Sequence, residues 1–395
     1  MDIEPASTRT VTLVVANDAR LLGSIGPFGV ATPWWQDTEP ISRCFPHLAV
    51  LRLLDVSAPP GATYGGTVRY LAEQVGPSPD ALPLDLGPVP EGVVLDESPM
   101  RMPWARPGGP SLDLEWVASV VPVTGTPVQH RTWNLSAIWS VPTAVGEVWL
   151  KCLPPFLSHE AQVLRVLSDR AVPRLLGHDG HRLLLQSLPG RDGYDATIGE
   201  RKQLIDTLIA IQLTTVSRTS ELLASGVPDR RWPALLAAAG AVVDARAPED
   251  PELRALVEDA DSRVRAIVEC GMDDVLVHTD AHSGNARIVE GAGPIWFDWG
   301  DSAVGHPILD VAVLERPGTP FRDELIAYWL DAWKHACPDA DPHRAWRLIR
   351  PFAALLGAVV YQRFLDGIER SERVYHEGDV TAFLARAVEL ASIPA

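Results

Sequence analysis

Hydrophobic and polar positions change their rhythm near the middle of the chain. In the first half the apolar residues fall in short runs bounded by turn residues. Arg9–Val15, Ala49–Val56 and Thr67–Ala72 read this way, with Pro59-Pro60-Gly61 and Gly65-Gly66 as breaks, and the pattern predicts strands. Thr32–Asp37, with a capping residue and an early proline, predicts a helix start. The Pro/Gly-rich span Gly76–Gly109 predicts loop and linker. Val128–Val141 and Gly146–Lys151 predict antiparallel strands, Ser158–Ser168 a helix and Arg182–Gln186 a further strand, ended by Ser187-Leu188-Pro189-Gly190. From about Thr197 helical spacing takes over. Arg201–Thr214, Leu253–Cys270, Pro320–Trp333, His343–Leu365 and Thr381–Ala391 carry apolar residues three and four apart. Inside this half, Val275–Val277 and Arg287–Val289 predict short strands around a polar stretch.

These elements predict an α+β protein without internal repeats. A small mixed α/β module at 1–120 precedes a strand-rich lobe at 121–190 and a helical lobe at 191–395. Trp34 and Trp35 in the opening module fit core packing better than a ligand site, and no Glu-rich helical box of a nucleotide hydrolase occurs there.

Composition changes the picture in three ways. With 46% hydrophobic residues the chain is globular, and a net charge of −17 excludes a general nucleic-acid binder, which needs basic surface for phosphates. Cys44, Cys152, Cys270 and Cys337 are far apart with no C-x-x-C pair, so no zinc site or disulfide framework is expected. Met1–Glu4 does not begin a signal peptide, and Ala234–Val243 and Phe352–Tyr361 are too short to span a bilayer, which makes a cytoplasmic protein the expectation. Lysine occurs three times, as Lys151, Lys202 and Lys334, in a chain otherwise supplied with arginine. A lysine here is therefore informative.

The chemistry concentrates in His278-Thr279-Asp280-Ala281-His282-Ser283-Gly284-Asn285, followed by Ile295-Trp296-Phe297-Asp298-Trp299-Gly300-Asp301. Taken alone, His-x-Asp-x-His fits the metal ligands of a hydrolase or a polar turn without function. The whole constellation, with an asparagine five residues after Asp280 and an apolar strand ending in Asp298, resembles the catalytic core of the aminoglycoside phosphotransferase and choline kinase-like families. The resemblance covers roughly residues 128–390; the opening module lies outside it. The usual form of the loop is H-G-D-x-H-x-x-N, so Thr279 stands where glycine is usual, a minor departure by sequence.

The resemblance implies a two-lobed protein-kinase-like fold, ATP (or GTP) and Mg²⁺ as cofactors, and phosphoryl transfer to a hydroxyl of a small molecule. It assigns the catalytic base to Asp280 and the metal-binding oxygens to Asn285 and Asp298, matching magnesium's use of few protein oxygens. Lys151 would hold the nucleotide phosphates, oriented by Glu160. Gln186, Ser187 and Leu188 would form the hinge that binds adenine through backbone groups, and Ser136, in the phosphate-covering stretch Asn134–Trp139, would touch phosphate. His278, His282 and Asp310 become structural supports. Acceptor-site candidates are Asp301, Tyr361, Gln362, Asp366 and Glu369. A carboxylate cluster among them would suit an aminoglycoside or amino sugar, and with it a role in antibiotic resistance. The alternatives are a catalytically silent nucleotide-binding scaffold and a metal-dependent hydrolase using His278 and His282. No nucleic-acid or membrane partner is expected, and the sequence leaves the oligomeric state open.

Overall fold

Val11, Leu13 and Val15 point to one side of an opening strand and are fully buried, the mark of a strand inside a sheet. The protein is described by a computed structural model covering residues 9–17, 20–59, 61–75, 85–168, 170–316 and 318–392. Met1–Glu4 and part of the expected linker, 76–84, lie outside the described residues. Contacts divide the chain into two units. The first holds residues 1–158, 175–187 and 364–377, the second 159–174, 188–363 and 378–395. The expected boundaries at 120 and 190 do not coincide with this division.

Among the described residues, the first unit contains two sheets. The smaller is made by β1 (Arg9–Asn17), β2 (Arg20–Val30), β3 (Leu48–Ser57) and β4 (Thr67–Gln74), in the order β2-β1-β4-β3, with β1 and β4 parallel. Helix α1 (Glu39–Cys44) precedes β3. The expected helix start at Thr32–Asp37 is instead irregular chain whose carbonyls gather round the buried Arg9 guanidinium, which donates to the oxygens of Thr32, Trp34 and Asp37. The expected linker likewise contains structure, ending in helix α2 (Gly109–Val120).

The larger sheet is built from β5 (Val128–Trp133), β6 (Ser136–Thr143), β7 (Gly146–Cys152), β8 (Leu175–Asp179) and β9 (Arg182–Gln186), in the order β5-β6-β7-β9-β8. All neighbours are antiparallel. Asp113 of α2 fixes that helix to the sheet: its carboxylate accepts from Arg182 Nε (2.6 Å), His181 Nε2 (2.9 Å) and the Cys152 thiol (3.3 Å). This carboxylate, cysteine and histidine are close enough to share a metal ion, but the guanidinium already on Asp113 makes the group a satisfied buried anchor.

One side chain ties the two sheets together. Gln129 of β5 is 1% exposed. It donates from Nε2 to Val50 O and accepts from Val50 N, both at 2.8 Å, where the β3–β4 register shifts. The amide thus replaces a missing strand partner for a buried peptide group. The returning segment closes the same unit. Glu369 pairs with Arg101 (2.8 Å), and Glu372 accepts from Leu53 N (3.1 Å).

The second unit is mostly helical. It holds α3 (Glu160–Val166), β10 (Arg191–Asp192), α4 (Ile198–Thr215), α5 (Thr219–Ala224), α6 (Trp232–Arg246), α7 (Pro251–Glu258), α8 (Ala260–Val268), β11 (Val275–Val277), β12 (Ala286–Val289), β13 (Gly293–Trp296), β14 (Ala303–Gly305), α9 (Arg322–Ala336), α10 (Pro342–Gly367, its last residues in the first unit) and α11 (Asp379–Ala391). A capping box, Thr197 with Glu200, starts α4, and Asp250 caps α7. The single helix read at Leu253–Cys270 breaks at Asp259 into α7 and α8. Helix α10 is long and apolar enough to cross a membrane by length and composition, yet 56% of its most apolar window is buried in the fold, as in a core helix. The short strands form β10-β12-β13 and β11-β14, so the polar stretch 278–285 leaves one small sheet and enters the other.

Gln129→Leu keeps the volume but leaves the buried N–H and C=O of Val50 unpaired. A loss of about 2–4 kcal/mol is expected from two such groups, read from urea unfolding followed by tryptophan fluorescence.

Candidate active site

The loop after β11 is held from behind by one carboxylate. Asp310, 2% exposed, lies in the 3-10 stretch Pro307–Glu315. It accepts from the backbone N–H of Thr279 (2.6 Å) and His278 (3.0 Å) and from Gln212 Nε2 (2.7 Å). Burial pushes its carboxyl up to about 7, against the pull of these three donors. Gln212, fully buried on α4, is itself oriented by Trp333 Nε1 (3.1 Å). Asp310, expected as a support of the loop, thus lies behind it with both backbone N–H groups on its carboxylate; Gln212 was hidden in an apolar helix, where a lone polar residue was its one signal.

Thr279 turns out to be more than a minor departure. Its φ is 60°, in the left-handed region that glycine enters freely and a β-branched residue does not. Such a residue costs roughly 1–2 kcal/mol. Its hydroxyl recovers part of this by donating to Asp301 O (2.7 Å) and accepting from Arg230 Nη1 (3.0 Å). Asp298 is also left-handed, at φ 64°, so both non-glycine bends of the site fall beside residues expected to do chemistry.

Asp280 sits between three donors. Arg316 Nη1 meets Oδ1 at 2.8 Å; Asn285 Nδ2 donates to Oδ2 at 2.8 Å, and His282 Nε2 lies 3.4 Å from the same oxygen. Burial would raise its pKa, but the His282 hydrogen bond and the Arg316 charge outweigh burial and hold the carboxyl well below the usual carboxylate range. It is therefore ionised at neutral pH. His282 has a fixed tautomer: Nδ1 accepts from Gly284 N (3.1 Å), which leaves the proton on Nε2, facing Asp280. A Cβ at Gly284 would lie 2.5 Å from the ring of the exposed Tyr194, which would have to move aside.

His278, expected as a support, is placed away from solvent. It is fully buried between Trp296 and Trp299 and donates from Nε2 to Phe297 O (3.0 Å), and burial lowers its pKa. Among the described residues, His278 and His282 do not form a group able to share a metal ion, so the hydrolase reading loses its ligands.

Asn285 and Asp298 reach the same hairpin end through register. Ala286 pairs with Trp296, and Phe297 N donates to Asn285 O (3.0 Å), so Asp298 is the next residue beyond the pair. Both hydrogen bonds of the Asn285 side chain leave from Nδ2, to Asp280 O and Oδ2, which leaves its oxygen for a cation. An amide oxygen and a carboxylate at one place suit magnesium, a hard ion that takes few protein oxygens.

The remaining candidates separate. Lys151 on β7 is 7% exposed, which excludes a solvated strand-end lysine; Lys202 and Lys334, by contrast, serve a surface pair with Glu324 and two carbonyls. Glu160, in the other unit, is fully buried at the start of α3 and accepts from Trp299 N (3.2 Å). Gln186 ends β9 opposite Val148, and Leu188 follows in irregular chain.

Ser136 does not match its expected contact with phosphate. It is 6% exposed and accepts from Trp133 Nε1 at 3.1 Å. The hairpin tip beside it is buried too, because Asn134 donates to Glu372 O (3.0 Å) and meets His376 Nε2 (3.2 Å).

The expected carboxylate cluster is not assembled. Glu369 is committed to Arg101 in the first unit, Asp366 is exposed there, and Gln362 accepts from Arg246 (2.6 Å). Tyr361 stacks on Phe383 and feels the charges of Arg316, Asp280 and Asp301. Asp301 closes the turn after Asp298. Arg230 and Arg316 were missed, since single arginines in an arginine-rich chain give no signal.

An antiparallel sheet in the order β5-β6-β7-β9-β8 with a lysine on its third strand, and a helical unit carrying Asp280, Asn285 and Asp298, define a protein-kinase-like phosphotransferase. The profile of the phosphotransferase enzyme family matches residues 151–351, just over half of the chain, and the protein belongs to that family. Solved structures share the fold at low identity. An ethanolamine kinase of Plasmodium vivax superposes with a TM-score of 0.54 at 11% identity, covering 72% of this chain and 88% of that one. Choline kinase LicA of Streptococcus pneumoniae gives 0.52 at 12%, covering 72% and 98%. The streptomycin–ATP ternary complex of APH(2")-IIa gives 0.50 at 13%, covering 71% and 97%. A comparison with curated protein sequences finds no match.

Two outcomes follow from this geometry. Asp310→Asn turns an amide N–H₂ toward donors and is expected to destabilise the fold by about 1–3 kcal/mol in urea unfolding. Asp280 has a folded pKa below its unfolded one, so its contribution to stability is present above about pH 4 and lost as pH falls through the acid range. The gap in urea midpoint between wild type and Asp280→Asn should therefore narrow from pH 6 toward about pH 3.

Proposed function

We propose that the protein is an ATP- and Mg²⁺-dependent O-phosphotransferase that acts on a hydroxyl of a small molecule. The observation that carries this reading is the Asn285 amide: it donates to Asp280 and so turns its oxygen outward, at the hairpin end where Asp298 follows. One arrangement thus joins an ionised base to two hard oxygen ligands. Its family membership and the small-molecule kinases that share its fold support the same reaction class. The acceptors of those kinases are properties of those proteins.

When bound, ATP supplies the γ-phosphoryl group, and Mg²⁺ neutralises charge on its phosphates. The residues of the chain do the rest. Asn285 and Asp298 hold the ion. Lys151, buried on β7, holds the nucleotide phosphates. The hinge from Gln186 to Leu188 offers its backbone to the base. Asp280 accepts a hydrogen bond from the acceptor hydroxyl and takes its proton late, once the bond to phosphorus has begun to form. His282 Nε2–H and Asn285 keep Oδ2 oriented and leave Oδ1, on the Arg316 side, to face the acceptor. The low pKa of Asp280 makes it a weak base whose role is chiefly to position the hydroxyl, which suits a loose transition state in which the proton moves late.

The test is phosphorylation of a library of hydroxylated metabolites and antibiotics, followed by ADP release and product mass. Asp280→Asn is expected to lower kcat by about 10²–10⁴ with nucleotide binding retained. Asp298→Asn should weaken Mg²⁺-dependent nucleotide binding. Equal turnover in wild type and Asp280→Asn would refute the assignment of the base.

A further inference from the structure

Against Thr279 of the catalytic loop lies an arginine that makes no ion pair among the described residues, although the charges of Asp301 and Asp310 act on it. Arg230 stands between α5 and α6, where its backbone is fixed against β14: its N–H donates to Val304 O (2.8 Å), and Val304 N donates to Pro228 O (2.9 Å). This delivers its side chain to the catalytic loop, 8% exposed. Both of its side-chain hydrogen bonds leave from Nη1, to Thr279 Oγ1 and Asp301 O, each at 3.0 Å. Both acceptors are neutral. Among the described residues Arg230 forms no ion pair, and Nε and Nη2 remain for another partner. Burial lowers its pKa to about 10, so it stays charged at neutral pH. A buried cation with neutral partners is costly, and its fork of donors fits a carboxylate or a phosphate.

Arg316 reaches the next residue of the loop. It meets Asp280 Oδ1 at 2.8 Å and is 43% exposed, which leaves its outer donors open. Arg363 on α10 is a third guanidinium within the field of Asp301. The carboxylates acting on this group are Asp280 and Asp301, with Asp310 behind the loop and Asp379 beside Tyr361. Arginines and carboxylates thus alternate here, where a cluster of carboxylates alone was expected, and Arg230 is the cation among them that makes no ion pair.

We propose that the acceptor is an anionic hydroxy compound, a hydroxy-carboxylate or a hydroxyl-bearing phosphate ester, whose acid group is held by Arg230 and Arg316 beside Asp280. The proposal rests on the phosphotransferase reading and names its substrate class. It also gives Thr279 a purpose. The hydroxyl that glycine would lack holds the Arg230 fork in place through Nη1 and leaves its other edge for the ligand.

A matched set of C6 compounds tests it: gluconate, glucose 6-phosphate, glucose and glucosamine. Each is titrated calorimetrically into the full-length enzyme with ADP and Mg²⁺, and each is assayed with ATP for ADP release. At least one of the two acids should bind about tenfold tighter than glucose, and glucosamine no tighter than glucose. The gluconate and glucose 6-phosphate arms show whether carboxylate or phosphate is preferred. In Arg316→Gln and in Arg230→Gln, which keeps a donor for Thr279 and Asp301, the acid-to-glucose affinity ratio should fall by about tenfold. The proposal is overturned if glucosamine binds as tightly as the acids, if none of the four compounds binds, or if the ratio is unchanged in both variants. It is also overturned if Arg230→Gln weakens all four equally together with the melting temperature, as a merely structural arginine would. ADP binding, measured first, separates the two levels. Its absence would sink the phosphotransferase reading itself, whereas ADP binding and transfer to a neutral or cationic compound would sink the anion alone.

Discussion

The site depends on one buried carboxylate and the three donors that converge on it. Asp310 takes the N–H groups of His278 and Thr279 and the amide of Gln212. Two consecutive backbone N–H groups aimed at one carboxylate fix the peptide planes of the loop, and Thr279 is thereby held at a positive φ. From that bend the chain presents Asp280 forward. Gln212 connects this anchor to α4, and Trp333 connects Gln212 to α9. The loop is thus positioned by the helical core behind it, as a site that must hold its geometry requires.

In front of the loop, electrostatics take over from packing. Asp280 is kept ionised by His282 and Arg316, and the His282 tautomer is set by the backbone of Gly284. The arginines beyond it give this side of the site a different character from a pocket lined with acids. The same hydroxyl that relieves the strained Thr279 also places Arg230, so a backbone cost and a charge are settled by a single side chain.

The first unit shows how polar groups can join layers that hydrophobic packing leaves unspecific. Gln129 completes the backbone of β3, and Asp113 collects a guanidinium, an imidazole and a thiol. The β5–β6 hairpin tip is likewise closed by Asn134 with Glu372 and His376, which removes Ser136 from the exposed position that the resemblance implied. Sequence distance hides all of these ties, since their partners are tens to hundreds of residues apart.

The sequence by itself determined the α+β class, most strands of the first half and helices of the second, and the order His278, Asp280, Asn285, Asp298. It could do so because periodicity and short motifs are local, and because apolar strands flank the polar loop on both sides. The left-handed Thr279, the tautomer of His282 and the buried state of Lys151 needed the tertiary structure. So did the dispersal of Asp366, Glu369 and Gln362 away from a common cluster, and the arrival of Arg230 and Arg316 in their place. Those features depend on which distant groups share a buried volume, and charge pairing across such distances leaves no period along the chain.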